Sequence, residues 1–388
     1  MNRNIALLGS TGSIGKNTLE VIKNNRDKLK IVSLACGNNL NLIRSQIREF
    51  TPEVVSISSK IDCDELRSDF PQIKIYSGEE GIMEVAMANG VDTLVTATSG
   101  THSIHATLES IKKGKRICLA NKETLVTAGE LVNQYLDRSD SELIPIDSEQ
   151  SAIFQCLCEN DRKFLNKVIL TASGGPFFKL NKDEFVKIGI DDALNHPVWS
   201  MGKKITIDSS TMMNKALEII EAFYLFNLDI DQIDLLIHPQ SIIHSMVEFT
   251  DNSIIAQMGI PDMKIPIQYS LSYPERFSSS SEKLDLAKTG SLEFYNPDPE
   301  KFPSIRMAYE VIEDKKNSGL IFNASNEVAV ESFLNGEISF PGIYYVVENM
   351  LDKCKKYPVN SSDDISPMIE EVEKLTSEFI KENISKME

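Results

Sequence analysis

The run from His196 to Ala222, HPVWSMGKKITIDSSTMMNKALEIIEA, gathers a histidine, the one tryptophan of the chain, small hydroxyl residues and an Asn-Lys-x-x-Glu sequence. Asn214 precedes Glu218 by four residues and Lys215 precedes it by three, so a helix would place all three on one face. Ser209, Ser210 and Thr211 fall where a strand predicted over Lys204 to Ile207 gives way to that helix. A helix start presents unpaired N–H groups and the positive end of the dipole, which suits phosphate. The alternative is an N-capped amphipathic helix with one surface ion pair.

Asp147-Ser148-Glu149 ends the apolar run LIPI. In extended backbone residues i and i+2 point the same way, so the two carboxylates are expected to converge while Ser148 faces elsewhere. Two converging carboxylates repel unless a proton or a cation bridges them. With Glu218 they would offer three oxygen ligands, a set suited to Mg²⁺ or Mn²⁺. Asp-x-Glu alone is common, so this reading depends on Glu218 sharing the site. The loop Thr171-Ala-Ser173-Gly174-Gly175-Pro176 after KVIL could cradle a phosphate, or be a simple turn.

Gly9, Gly12 and Gly15 stand between a strand and a helix at the start of a strand–helix array. Glycines there permit a tight turn and close approach to a pyrophosphate. The second strand ends SLACGNN, without the acidic residue that usually holds the ribose 2′-hydroxyl of NAD. NADP is therefore expected, although the nearest basic residue, Arg44, lies in the next segment. Asn121, Lys122 and Glu123 follow the strand RICL and would face the cofactor crevice; the alternative is a solvated Lys–Glu pair at a helix start. His196 leads into the Trp199 loop. His238 reads as structural, His244 is left open, and His102 and His105 read as surface or packing residues.

The elements that must position these groups fall into three blocks. Strands are expected at Ile5–Leu8, Ile31–Ala35, Val54–Ile57, Thr93–Thr96, Arg116–Leu119 and Leu143–Ile146, with helices between most of them. Such alternation predicts an α/β fold whose Rossmann-like domain, residues 1–146, carries a doubly wound, mostly parallel sheet. An α+β catalytic domain is expected over 147–273. Its strands are predicted at Lys167–Thr171, Lys204–Ile207, Leu235–Ile237, Ser245–Phe249 and Ile254–Gln257, the last two as a hairpin. Four prolines and the run Ser278–Ser281 make 274–303 a connector. Helical spacing in MAYEVIED, NEVAVESFL and YVVENML predicts a small helical domain over 304–388.

At 388 residues the chain exceeds one ordinary core. A net charge of −17 argues against nucleic acid or an anionic membrane as the main partner. No apolar stretch approaches the roughly 20 residues that span a bilayer. Met1-Asn2-Arg3-Asn4 runs straight into IALL, so no secretory leader is expected. The six cysteines are scattered, and Cys156 and Cys158 read as reduced core thiols, so a cytoplasmic location is expected.

In order along the chain, GSTGSIG, LANKE, DSEQSAIFQ, TASGGPF, the His196–Ala222 run and HPQSIIHSMVEF resemble the 1-deoxy-D-xylulose-5-phosphate reductoisomerase family. The resemblance spans nearly the whole chain. It implies a homodimeric enzyme dependent on NADPH and on Mg²⁺ or Mn²⁺, acting on a phosphorylated sugar. The family converts 1-deoxy-D-xylulose 5-phosphate to 2-C-methyl-D-erythritol 4-phosphate in the non-mevalonate isoprenoid pathway. The resemblance puts the metal on Asp147, Glu149 and Glu218. It puts substrate contacts on Ser148, Ser173, His196, Ser209, Asn214 and Lys215, Lys122 near the reacting centre, and a lid on the Trp199 loop. Cofactor contacts fall on Thr11, Gly12, Ser13, Ile14, Gly37, Asn38, Asn39, Ala97, Asn121, Glu123 and Gly202. Some members carry a lysine where this chain has Asn38. The rival readings are an NADP-linked dehydrogenase of the homoserine or semialdehyde type, which needs no three-carboxylate metal set, and a non-catalytic NADPH-sensing protein.

Overall fold

The computed structural model describes residues 2–157, 162–195, 202–384 and 387; His196, Trp199 and Cys158 lie outside the described residues. The chain begins β1 (Arg3–Leu8), α1 (Ser13–Lys23), β2 (Leu29–Cys36), α2 (Leu40–Phe50), β3 (Val54–Ile57), α3 (Lys60–Asp69), β4 (Lys74–Ser77) and α4 (Gly78–Ala86). It continues β5 (Thr93–Thr96), α5 (Ile104–Lys112), β6 (Arg116–Leu119), α6 (Glu123–Leu136) and β7 (Leu143–Pro145). These strands pair in the order β4-β3-β2-β1-β5-β6-β7, every neighbouring pair parallel. Helices cover both faces of such a sheet, so its strands read as continuous apolar runs rather than alternating ones. Ile5, Leu7, Leu34, Val55, Val95 and Cys118 are all fully buried in its core. The order reverses between β1 and β5, and the crevice outside their carboxyl ends is where such sheets bind ligands. The six strands predicted for residues 1–146 are all present. The sequence reading omitted β4, a short edge strand in which Ile75 alone is buried.

The chain then forms α7 (Ser148–Leu157), β8 (Leu165–Ala172), α8 (Ile190–Ala193), α9 (Lys203–Ser210), α10 (Met213–Phe226), β9 (Ile233–Ile237), β10 (Ile243–Phe249) and β11 (Ile254–Met258). The order β11-β10-β8-β9 makes a mixed sheet: β10 runs antiparallel to β11 and β8, and β8 parallel to β9. The expected β10–β11 hairpin is present, with Asn252 at φ 66° in its turn. Next come α11 (Lys264–Ser272), α12 (Leu286–Thr289), α13 (Pro303–Asp314), α14 (Ser318–Leu334), α15 (Phe340–Lys353) and α16 (Ile365–Asn383). The connector is mostly irregular, but Tyr295 and Ile237 exchange two backbone hydrogen bonds of 2.8 and 2.9 Å.

Two expectations are corrected here. The strand expected at Lys204–Ile207 is the middle of helix α9. The alternating Lys-Ile-Thr-Ile pattern favours a strand, but tertiary partners override it. The Thr206 hydroxyl and backbone N–H both donate to the Gly202 carbonyl, Lys204 pairs with Asp208 at 2.7 Å one turn on, and Ile207 and Ser210 are fully buried. Asp147-Ser148-Glu149 is likewise not extended. The strand stops at Pro145 and α7 starts at Ser148, so Glu149 projects from the first turn of a helix. Its relation to Asp147 is set by a strand-to-helix turn rather than by strand alternation.

The chain divides into two compact units. One comprises Met1–Thr124, Val132–Phe154 and Asp262–Glu282; the other comprises Leu125–Leu131, Gln155–Pro261 and Lys283–Glu388. Within the second unit Phe340 meets Phe177, Phe185, Phe333 and Tyr344 edge-on at 5.4 to 6.0 Å, a favourable arrangement for aromatic quadrupoles. The five described cysteines are buried. Among the described residues no helix is long and apolar enough to cross a membrane.

Candidate active site

In the first unit the glycine loop follows β1 at the switch point. Gly9 has φ 84°, and a Cβ there would sit 2.2 Å from the Ala97 carbonyl oxygen of the β5 exit. A Cβ on Gly15 would sit 2.1 Å from the Gly9 carbonyl oxygen, so these two glycines are required for packing. Gly12 has more room, and α1 starts there with no side-chain cap and no acidic residue in its first turn. By contrast, Asn39 and Ser59 cap α2 and α3. The α1 start is thus an uncapped, positively polarised end beside glycine backbone, fit for a pyrophosphate. Buried Gln46 of α2 braces the loop by accepting from the Ser10 hydroxyl at 2.8 Å and donating to the Ser10 carbonyl at 2.9 Å. The sequence offered no signal for that mid-helix glutamine, since its partner is 36 residues away.

Gly37, Asn38 and Asn39 are exposed at the β2 exit. Arg44 is committed elsewhere: its guanidinium pairs with Glu65, and with Asp69 at 2.7 Å, both on α3. At the β5 and β6 exits, buried Asn121 donates to the Thr98 and Gly100 carbonyls at 2.8 and 2.7 Å and accepts from Thr124 at 2.6 Å. Its amide nitrogen also lies 3.0 Å from Glu123, so the two loops facing the crevice are tied together.

Lys122 is not the solvated lysine of the alternative reading. It is 6% exposed and its ammonium lies 2.6 Å from the Asp147 carboxylate. Asp147 and Glu149 present carboxylate oxygens within 4.8 Å of one another, and the Ser148 hydroxyl donates to Glu149 at 2.5 Å. Two carboxylates that close repel one another, and a divalent cation between them would offset that repulsion.

In the second unit Lys215 and Glu218 form an ion pair on the first turns of α10, with side chains 5% and 2% exposed. Asn214 donates to the other Glu218 oxygen at 2.6 Å. The predicted one-face cluster therefore exists: Asn214 is half-buried, and Lys215 and Glu218 are buried rather than the surface pair of the alternative. Ser209 is half-buried at the end of α9. Gly174 and Gly175, with φ 82° and 64°, turn the loop after β8. A Cβ on Gly175 would come within 2.8 Å of the Ser209 carbonyl oxygen, so only glycine lets this loop reach α9. The Gly175 N–H donates to the Ser173 hydroxyl at 3.3 Å, which places Ser173 beside that contact. His238 is fully buried: Nδ1 donates to the Glu293 carbonyl at 2.8 Å and Nε2 accepts from the Ile242 N–H at 3.2 Å, the structural role expected. His244 is 9% exposed. His102 is exposed and His105 half-buried. Gly202 caps α9, and the proposed His196 and Trp199 contacts fall outside the described residues. The reading also missed Met212, whose left-handed backbone, φ 57° and ψ 11°, turns α9 into α10. Nothing in a methionine's side chain signals that conformation.

Three family models match the chain. One described as 1-deoxy-D-xylulose 5-phosphate reductoisomerase covers residues 5–129, and models of that enzyme's C-terminal domains cover 143–226 and 258–375. The 1-deoxy-D-xylulose 5-phosphate reductoisomerase of Shouchella clausii is 50% identical over 90% of this chain and 93% of its own. The chain is similar to a solved DOX-P reductoisomerase in complex with NADPH, fosmidomycin and magnesium, at TM-score 0.94 and 37% identity over all of both chains. It is also similar to the Zymomonas mobilis enzyme solved with NADPH, at TM-score 0.92 and 36% identity over 98% of this chain and 99% of that one.

Proposed function

Because this chain belongs to the 1-deoxy-D-xylulose 5-phosphate reductoisomerase family, we infer that it converts 1-deoxy-D-xylulose 5-phosphate to 2-C-methyl-D-erythritol 4-phosphate with NADPH and a divalent metal, a step of isoprenoid synthesis. The observation that carries this reading is the full-length likeness to an enzyme solved with NADPH, fosmidomycin and magnesium. It disfavours the dehydrogenase and cofactor-sensor alternatives. The assay that tests it follows NADPH loss with 1-deoxy-D-xylulose 5-phosphate, with and without Mg²⁺. Turnover that needs both is the expected result, and metal-independent turnover would overturn it.

We propose that Asp147, Glu149 and Glu218 hold Mg²⁺ or Mn²⁺. When bound, the metal supplies a positive charge at the substrate oxygens where negative charge grows. Lys122, clamped on Asp147, holds that carboxylate in place and sets an ammonium at the reacting end. Ser173, Ser209, Asn214 and Lys215 bind the substrate phosphate by hydroxyl, amide and ammonium donors. Ser148 orients Glu149. The glycine loop with Thr11, Ser13 and Ile14, the β2 exit with Gly37, Asn38 and Asn39, and Ala97, Asn121, Glu123 and Gly202 bind NADPH, which supplies the hydride. His196 is proposed, from the sequence, to contact the substrate, and the loop holding Trp199 to close over it and exclude water. The protein is further proposed to be a cytoplasmic homodimer without nucleic-acid or membrane partners, in keeping with its buried cysteines and charge of −17.

Cofactor choice follows from the β2 exit. No carboxylate there repels a 2′-phosphate, but Arg44 is held by Glu65 and Asp69, and Asn38 is neutral. Neutral hydrogen bonds contribute about 1 kcal/mol each, so NADPH should be favoured over NADH by about tenfold in kcat/KM. Equal kcat/KM values for the two cofactors would show that the β2 exit holds no 2′-phosphate.

A further inference from the structure

The turn between α9 and α10 is held from behind by helices that take no part in the proposed site. Met212 is 2% exposed with left-handed backbone, a conformation unfavourable for a residue with a side chain and kept only where its surroundings impose it. The surroundings are specific. The carbonyl of Thr211, at the end of α9, accepts the Ser304 hydroxyl of α13 at 2.9 Å and the Tyr344 hydroxyl of α15 at 3.1 Å. Thr211 and Ser304 are fully buried. Burial pushes the Tyr344 phenol well above its usual range, so it remains a donor. One turn earlier, buried Asp208 accepts from Asn326 of α14 at 2.9 Å and from Lys204 at 2.7 Å. Ser209 lies between these two tether points, and Asn214 begins the second residue after Met212.

We propose that Ser304 and Tyr344 are positioning residues for the substrate phosphate: their hydroxyls on the Thr211 carbonyl set the angle between α9 and α10, so that Ser209 and the Asn214–Lys215 pair face one anion. This rests on the assignment of those three residues to the phosphate. The hydroxyls never meet the substrate; they act through the backbone of the turn. Their loss relaxes the left-handed residue and spreads the donors, which weakens binding of a tetrahedral anion more than it slows a reaction at the other end of the molecule.

The test uses Tyr344→Phe and Ser304→Ala, singly and together, in the full enzyme. Each single variant should raise KM for 1-deoxy-D-xylulose 5-phosphate about 3- to 10-fold, the scale of one hydrogen bond. The inhibition constant of inorganic phosphate should rise in parallel, kcat should stay within about twofold, and KM for NADPH should not move. The double variant should exceed either single one, and Ser304→Thr, which keeps a hydroxyl, should retain the native KM. If both KM and the phosphate constant stay native in the folded single variants, even with a lower Tm, the hydroxyls are merely structural and the proposal is wrong. Should one single variant fail to fold, the other decides by the same readouts. Lys215→Ala is measured alongside. If it raises KM and the phosphate constant while the hydroxyl variants do not, the positioning role fails and the phosphate assignment stands. If it moves neither, the assignment itself fails.

Discussion

Glu218→Gln is expected to lower kcat by on the order of 10²- to 10³-fold, the scale of losing one preorganised charge-stabilising group. The substitution keeps the volume of a side chain that is 2% exposed and removes its charge. NADPH affinity should stay within about twofold, because the proposed cofactor contacts lie on other loops and the variant changes no charge among them. Mn²⁺ affinity, read by electron paramagnetic resonance without substrate, should fall in the same variant. That second readout separates loss of a metal ligand from loss of a proton-transfer group. Native Mn²⁺ affinity together with a large fall in kcat would remove Glu218 from the metal set. Native kcat at low Mg²⁺ would remove it from the site.

Lys215→Ala is expected to raise substrate KM by about 10- to 150-fold, corresponding to the roughly 1.5–3 kcal/mol of a charge-assisted hydrogen bond to phosphate. A smaller fall in kcat should accompany it, since remote binding energy also aligns the reacting end. The phosphate does not change charge during reaction, so the lysine's contribution is mostly uniform binding. The structure adds a second consequence. Lys215 is paired with buried Glu218, so its removal takes the cation from a buried carboxylate, a change that typically costs about 3–5 kcal/mol. The variant should therefore melt at lower temperature than the native enzyme, and added Mg²⁺ should recover more of that loss than it adds to the native protein, because a bound cation stands in for the ammonium. Steady-state kinetics and thermal melts with and without Mg²⁺ test both points. An unchanged KM would move the phosphate away from Lys215. An Mg²⁺ effect no larger than in the native enzyme would argue that Glu218 does not meet the metal.

The two substitutions sit three residues apart on one helical turn and are expected to fall on different kinetic constants. Such a division is legible from spacing, because a helix converts a sequence interval directly into a shared face. The same is true of the glycine loop. Its three-residue interval, after an apolar strand and before a helix, marks a turn that must be free of side chains, and the 2.1 and 2.2 Å approaches at Gly15 and Gly9 give the steric reason. The parallel sheet was equally legible, since strands covered on both faces leave apolar runs that need no partner to be recognised.

What the sequence by itself determined is therefore what local chemistry encodes: the strand–helix alternation, the glycine turn, the one-face cluster at Asn214, Lys215 and Glu218, and, through the order of its motifs, the family. Tertiary structure alone decided the rest. It made Lys204–Ile207 a helix, because burial of Ile207 and Ser210 and the bond from Asn326 to Asp208 outweigh a strand-like alternation of four residues. It put Glu149 on a helix start instead of a strand end. It turned Lys122 and Lys215 from ordinary surface cations into buried partners of Asp147 and Glu218. It also committed Arg44 to α3 and fixed Met212 in a left-handed turn. Each of these depends on which distant group occupies the adjacent space, and burial and charge pairing are properties of that neighbourhood rather than of the residue.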